Sequence, residues 1–432
     1  MDTLNDAVGF YHSLSRFGIK PGLERISELC RLLGDPQKDL RFVHVAGTNG
    51  KGTVCTEIAS VLFSAGHKTG LYTSPYVLEF RERIRLNGEM IPETQLLRVT
   101  ELVKQAVYEL NSKGIFPTEF EAVTAAAFKY YADEKCDVVV LETGLGGRYD
   151  ATNIITDPIV SVITSVSRDH MGVLGNSLAE IAGEKCGIIK NRCYTVTTAD
   201  QPDEVIGVIR KIVEGNDSVL FEADKNTLFE TLDTDYSGTV VKYRGVEIKV
   251  PFPGEHQKQN FAVALKALEV VGVSGIDITV KNIKEGIERA FIPARTEILS
   301  RSPIVILDGC HNDGSTKALA EYIEKYFSEK KIIAVMGMMA DKEVGKSLEN
   351  LYGSFSHVIA VTPHNDRALN ARDFYEALKR YGFSAEYRDE PVDGIKAAFE
   401  KLSEFDVMIV CGSLYLAADV RNSLIDLLKN TY

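Results

Sequence analysis

Short apolar runs alternate along this chain with amphipathic stretches. Leu40-Arg41-Phe42-Val43-His44-Val45-Ala46 reads as a buried strand. Val54, Ile58, Val61, Leu62 and Ala65 then fall on one helical face, with Gly66 where a C-cap belongs. Val138-Val139-Val140-Leu141 and Ile159-Val160-Ser161-Val162-Ile163 are two further apolar runs. Apolar strands separated by amphipathic helices predict an α/β protein with a parallel sheet covered on both faces. The stretch 215–253 is different. It is polar, and Thr239-Val240-Val241-Lys242-Tyr243 and Val246-Glu247-Ile248-Lys249-Val250 flank Arg244-Gly245, the pattern of a hairpin. It is taken as a small antiparallel addition to the first domain. A second α/β series follows Pro293-Ala294-Arg295-Thr296-Glu297, with strands expected at 304–307, 332–336, 358–361 and 407–410. Ala318, Leu319, Tyr322, Ile323 and Phe327 form a helical stripe between the first two. The expected domains are residues 1–297 and 298–432, the second being the smaller.

Composition narrows the classes. A chain of 432 residues with 45% hydrophobic positions can bury a large core without disulfides or a structural metal. The net charge of −12 argues against a protein that coats nucleic acid or an anionic membrane, but leaves room for a local anion site. No apolar run is long enough to span a bilayer. Met1-Asp2-Thr3-Leu4-Asn5-Asp6 lacks the basic start and apolar core of a signal peptide. The seven cysteines are scattered and show no CxxC pair, which fits a reducing cytoplasm.

The sharpest motif is Gly47-Thr48-Asn49-Gly50-Lys51-Gly52-Thr53, between a strand and a helix. Glycines let backbone N–H groups close around phosphate oxygens, and the helix N-terminus adds unpaired donors and partial positive charge. Lys51 can reach terminal phosphates, and Thr53 can face phosphate or Mg²⁺. The match to the common P-loop pattern is imperfect: Val45 replaces its first glycine, and Gly52 separates Lys51 from Thr53. No N-K-x-D segment for guanine occurs, so adenine is the expected base. After the strand 138–141 comes Glu142-Thr143-Gly144-Leu145-Gly146-Gly147-Arg148-Tyr149-Asp150. A carboxylate ending a strand parallel to the P-loop strand is placed to hold Mg²⁺ beside the phosphates. The strand 159–163 similarly runs into Ser167-Arg168-Asp169-His170, and His170 is read as a ligand on that ground. The alternating run Arg81, Arg83, Arg85 is either a solvated strand face or a hold on an acidic substrate.

With these residues in view, the chain resembles the folylpolyglutamate synthase and dihydrofolate synthase family of the Mur ligase superfamily. The landmarks are His44 to Thr53, Tyr72-Thr73-Ser74-Pro75, Arg81 to Ile84, Glu142 to Asn153, Asp169-His170, Lys185 to Lys190, Gly254-Glu255-His256-Gln257 with Asn260, Pro293 to Glu297, Asp308-Gly309-Cys310-His311-Asn312 and Gly412-Ser413-Leu414-Tyr415. The resemblance implies a P-loop ATPase domain of the Mur central type, followed by a Rossmann-like domain that takes glutamate. It implies Mg²⁺ on Ser74, Glu142 and His170, and a Lys185 that is N6-carboxylated and so joins the metal site. It places Asn260 and Arg295 on the nucleotide together with the loop 47–53. Asp308, His311 and Ser413 fall on the glutamate side, with Lys51, Lys185, Asp308 and His311 in catalytic roles. Arg168, Tyr149, Cys310 and Asp313 depart from the family's common residues.

The activity so implied is ATP-dependent addition of L-glutamate to a folate or to dihydropteroate through an acyl phosphate. The resemblance also implies a monomer. Whether His311 or Asp308 takes the amine proton is left open. The alternatives are a Mur-type ligase for another carboxylate and a P-loop protein that binds nucleotide without ligating.

Overall fold

The structure, a computed structural model, describes residues 3–15, 21–168, 174–340, 344–403 and 406–431. Contacts divide it into two units. The first holds residues 1–232, 240–250 and 257–290; the second holds 233–239, 251–256 and 291–432.

An eight-stranded sheet organises the first unit. Its strands are β1 (Phe42–Ala46), β2 (Thr69–Tyr72), β3 (Ile84–Leu86), β4 (Glu89–Met90), β5 (Val138–Glu142), β6 (Val160–Ile163), β7 (Tyr194–Thr198) and β8 (Val219–Ala223), in the order β4-β3-β2-β5-β1-β6-β7-β8. From β2 to β8 every pairing is parallel, while β3 and β4 pair antiparallel at one edge. Strands β1, β5 and β6 are buried along their whole length. This is why they read as continuous apolar runs rather than as alternation. The chain leaves β1 towards β2 and leaves β6 towards β7, so the sheet changes winding direction beside β1. Open parallel sheets bind ligands outside the carboxyl ends of the strands at such a point.

The P-loop helix Lys51–Ser64 ends with Ala65 as C-cap and Gly66 at φ 89°, the glycine stop expected from sequence. The expected hairpin is present. Strands β9 (Glu230–Asp235), β10 (Gly238–Tyr243) and β11 (Val246–Val250) form a separate three-stranded sheet. Arg244 (φ 47°) and Gly245 (φ 83°) make the positive-φ turn that a two-residue hairpin needs.

In the second unit, β12 (Glu297–Arg301), β13 (Ile304–Leu307), β14 (Ile332–Met336), β15 (His357–Ala360), β16 (Ala385–Tyr387) and β17 (Val407–Cys411) lie in the order β12-β13-β17-β14-β15-β16. Only β12 pairs antiparallel. The helical stripe between β13 and β14 lies on the helix Asp313–Phe327, with Leu319, Tyr322, Ile323 and Phe327 buried in the core of this sheet. Both units are therefore α/β with parallel sheets, as the apolar pattern indicates.

Candidate active site

The loop 47–53 is held from beneath by the strand next door. Thr48 N–H donates to Ser165 O (2.8 Å), and Thr164 Oγ1 donates to Asn49 O (2.8 Å). Gly50 caps the helix at φ 85°, and a Cβ there would stand 2.2 Å from Asn260 Oδ1. Only glycine meets both demands. Asn260, on the helix Glu255–Val273, therefore packs directly on the P-loop and is tethered to Gln257 Oε1 (2.8 Å). Lys51 Nζ folds back over its own loop, donating to Gly47 O (3.1 Å) and Thr48 O (3.3 Å). Lys185 Nζ donates to the same Gly47 O (2.8 Å). Two lysine nitrogens thus converge on one carbonyl at a helix N-terminus, where Lys51 and the unpaired N–H groups favour a polyanion.

Glu142 ends β5 beside the P-loop strand, in register with Val45. Its Oε2 accepts from Ser74 N (3.1 Å) and lies 3.7 Å from where a Gly52 Cβ would be. The Ser74 backbone thus meets the Glu142 carboxylate beside the loop, and a hydroxyl and a carboxylate are hard oxygen donors of the kind Mg²⁺ prefers. Among the described residues, no three His, Cys, Asp or Glu side chains cluster as a metal site. His170, the remaining expected ligand, lies outside the described residues.

Behind Glu142, Asp150 organises the glycine loop. It accepts from Leu145 N (2.8 Å), Thr152 N (3.0 Å) and Thr152 Oγ1 (2.5 Å), while burial raises its pKa. Thr152 Oγ1 donates to Asp150, so its lone pair accepts a hydrogen bond from His44 Nε2–H (2.8 Å). Burial pushes the His44 pKa down to about 3, so the ring is neutral, and the bond to Thr152 Oγ1 makes it the Nε2–H tautomer. This buried relay was not foreseen from sequence. Arg148 N donates to Glu184 O (2.8 Å), tying the glycine loop to the helix Leu178–Lys185 that carries Lys185.

The arginine run is not a solvated strand face. Phe80–Arg83 is a 3₁₀ turn; Arg81 pairs with Glu79 and Arg85 with Glu82. Arg83 is buried between the Phe80 and Phe120 rings (5.6 Å to each) and faces Glu119.

In the second unit, the loop after β13 meets the turn after β17. Asp308 N donates to Val410 O (2.9 Å), and a Cβ on Gly309 would stand 2.1 Å from Leu414 Cδ2. The Asp308 carboxylate is committed to three donors: Thr296 N (2.8 Å), Thr296 Oγ1 (3.0 Å) and Cys310 N (2.8 Å). His311 Nδ1 donates to Gly309 O (2.9 Å), which leaves Nε2 as the basic nitrogen of the neutral ring. Ser413 is buried and accepts from Leu416 N (3.0 Å), capping the helix Leu414–Thr431. Arg295 stands between Ala294 (φ 55°) and Thr296 (φ 48°) in the linker. His256, another landmark, is exposed near the start of the helix Glu255–Val273, with Asp308 and Arg295 within electrostatic reach. Cys310 is buried, its thiol in contact with that of Cys411.

A phosphate loop at the winding reversal of one parallel sheet, followed by a second parallel sheet, is the architecture of a Mur-type ligase. Residues 45–268 match the Mur ligase middle domain and residues 294–414 the glutamate ligase domain of Mur ligases. The dihydrofolate synthase/folylpolyglutamate synthase of Bacillus subtilis is 36% identical, covering 97% of this chain and 98% of its own. The folylpolyglutamate synthase of Lacticaseibacillus casei is 33% identical over 97% and 98%. The Mycobacterium tuberculosis folylpolyglutamate synthase, solved with ADP and AMPPCP, superposes with a TM-score of 0.87 at 29% identity, covering 98% of this chain and 99% of that one. The chain belongs to the folylpolyglutamate synthase/dihydrofolate synthase family.

Proposed function

We propose that this chain joins L-glutamate to the carboxylate of a folate, of dihydropteroate, or of both, at the expense of ATP. The observation that carries this reading is the convergence of Lys51 and Lys185 on Gly47 O (3.1 and 2.8 Å), with Glu142 and Ser74 paired beside the loop. A carboxylate cannot expel oxide, so it must first be activated. The acceptor carboxylate attacks the γ-phosphorus, ADP leaves, and an acyl phosphate forms. Lys51 swings from Gly47 O to the terminal phosphates. Together with Arg295 and the N–H groups of residues 47–53, it neutralises the charge that moves during transfer.

Ser74 and Glu142, with His170 and a carboxylated Lys185, would hold Mg²⁺. The ion supplies charge neutralisation and orientation of the γ-phosphate. A carbamate on Lys185 retains one N–H, which suffices for its contact with Gly47 O. Asn260 serves the nucleotide alongside the loop it packs against. In the second step the glutamate amine attacks the acyl carbon and phosphate leaves. His311 Nε2 takes the amine proton. Asp308, already engaged by three donors, shapes the loop instead. Ser413 fixes the neighbouring turn on the glutamate side.

The test is phosphate release by purified protein with ATP, Mg²⁺, glutamate and either dihydropteroate or a tetrahydrofolate. Release should require all components, and the substrate panel tells synthase from polyglutamate activity. Release at the same rate without glutamate would make the protein a plain ATPase and refute the ligase reading. A cytoplasmic monomer remains the expected form, which size-exclusion chromatography checks. Among the described residues, no helix is long and apolar enough to cross a membrane.

A further inference from the structure

Arg295 is flanked on both sides by backbone that non-glycine residues rarely adopt, Ala294 at φ 55° and Thr296 at φ 48°. Such conformations persist only where the surroundings over-determine them. Two anchors do so here. On one side, Thr296 N and Oγ1 donate to Asp308 Oδ2 (2.8 and 3.0 Å). On the other, Ala294 N donates to Glu297 Oε2 (3.0 Å), and Ala294 O accepts from Gly309 N (2.8 Å).

Glu297 in turn is gripped by Arg421 from the helix Leu414–Thr431. Arg421 Nε meets both carboxylate oxygens (3.0 Å each) and Nη2 meets Oε1 (2.6 Å). Glu297 is buried and Arg421 partly so, with side-chain exposures of 7% and 17%. The Arg421 guanidinium also lies 5.8 Å from the centre of the Phe291 ring, so it touches the linker at a second point. A forked guanidinium on a carboxylate fixes direction as well as charge.

We infer that Arg421 and Glu297 form a positioning pair for Arg295. The inference rests on the reading that Arg295 serves the nucleotide phosphates. The pair does two things. It sets the backbone on the N-terminal side of Arg295 through the Ala294 N–H. It also keeps the Glu297 carboxylate satisfied, so that this acid, two residues away, does not compete with phosphate for the Arg295 guanidinium. An arginine that must meet a developing charge loses most of its effect when displaced by an ångström.

The test is a mutant cycle on kcat/KM for ATP, measured well below each variant's unfolding temperature. Arg421→Met is expected to lower kcat/KM about a hundredfold. Arg295→Ala should do the same, and Arg295→Ala with Arg421→Met together should be no worse than Arg295→Ala alone. Adding Glu297→Gln to Arg421→Met removes the orphaned charge while keeping an acceptor for Ala294 N–H. This should recover about tenfold without raising Tm to the wild-type value. Arg421→Lys, which keeps the charge and loses the fork, covers the case that the methionine variant does not fold, and it should fall between wild type and Arg295→Ala. Losses that multiply in the Arg295→Ala double variants would overturn the positioning role, because Arg421 would then act independently of Arg295. A normal kcat/KM in Arg421→Lys would overturn the need for the fork. Arg295→Ala with unchanged kcat/KM would instead remove the nucleotide role of Arg295 itself, a separate failure and a distinguishable one.

Discussion

Glu57 sits on the P-loop helix, fully buried, and among the described residues neither of its carboxyl oxygens has a hydrogen-bond partner. It lies one helical turn before Val61, on the face that meets the helix Val280–Arg289. A Cβ on Gly286 there would stand 2.4 Å from Val61 Cα. Burial alone pushes the Glu57 pKa well above the ordinary carboxylate range. The folded protein therefore keeps this proton, whereas the unfolded chain releases it above about pH 4.3. The sign follows from linkage. Between the unfolded and folded pKa values the native state binds one more proton, so stability falls as pH rises. The contribution is fully present below about pH 4.3 and is lost as pH climbs through the folded value. Each pH unit inside that window costs about 1.4 kcal/mol. From pH 5 to pH 7 the wild type should lose up to about 2.7 kcal/mol that a Glu57→Gln variant does not lose. For a unit of this size, that widens the gap in Tm by about 5 °C. Thermal melts of the two proteins in matched buffers from pH 5 to 7 measure the gap, and the other titrating groups cancel in the difference. A Tm difference that stays constant across the range would mean that Glu57 is ionised in the fold, and the reasoning would be wrong.

Other perturbations probe the site directly. Lys51→Ala and Glu142→Ala should each lower glutamate-dependent phosphate release by about a hundredfold or more, and near-wild-type rates in either would displace the assigned site. Gly50→Ala would drive a methyl to 2.2 Å from Asn260 Oδ1 at a φ of 85°, so calorimetric titration with an ATP analogue should show weakened binding. Unchanged affinity would show that the loop does not hold the nucleotide. Ser413→Ala removes the cap on Leu416 N and should cost about 1 kcal/mol in denaturant unfolding; no measurable change would discount the cap. Native mass spectrometry under CO₂ should add the mass of one CO₂ to the wild type and not to Lys185→Ala. A wild type that gains nothing would end the carbamate proposal.

What could be read from the chain alone was what depends on neighbours in sequence. Buried parallel strands whose positions are nearly all apolar stand out as runs, so β1, β5, β6, β13, β14, β15 and β17 announced themselves. The P-loop did too, because the glycines that let a backbone approach phosphate must follow one another. The hairpin at Arg244-Gly245 was legible because its turn demands two adjacent positive-φ residues. Strands β7 and β8 carry Thr195, Thr197, Thr198 and Glu222 among their apolar positions, and β3, β4 and β16 have only two or three residues. None of these gave a run to detect. The site divides along the same line. Lys51 and Glu142 follow from their places at a loop and a strand end, but the partners that set their surroundings come from far along the chain. Lys185 reaches Gly47 O across 138 positions, and Arg421 reaches Glu297 across 124. Local pattern does not encode such pairs, since a helix face presenting an arginine looks the same whether that arginine meets water or a buried carboxylate. The arginine run 81–85 shows the converse. Its alternation left a wet strand face or a hold on an acidic substrate open, but Arg83 is buried between two phenyl rings because Phe120 arrives from a helix that local sequence could not place there. The charged residues that shape this site are therefore the least legible part of it, because desolvated charge is tolerated only where a distant partner compensates it.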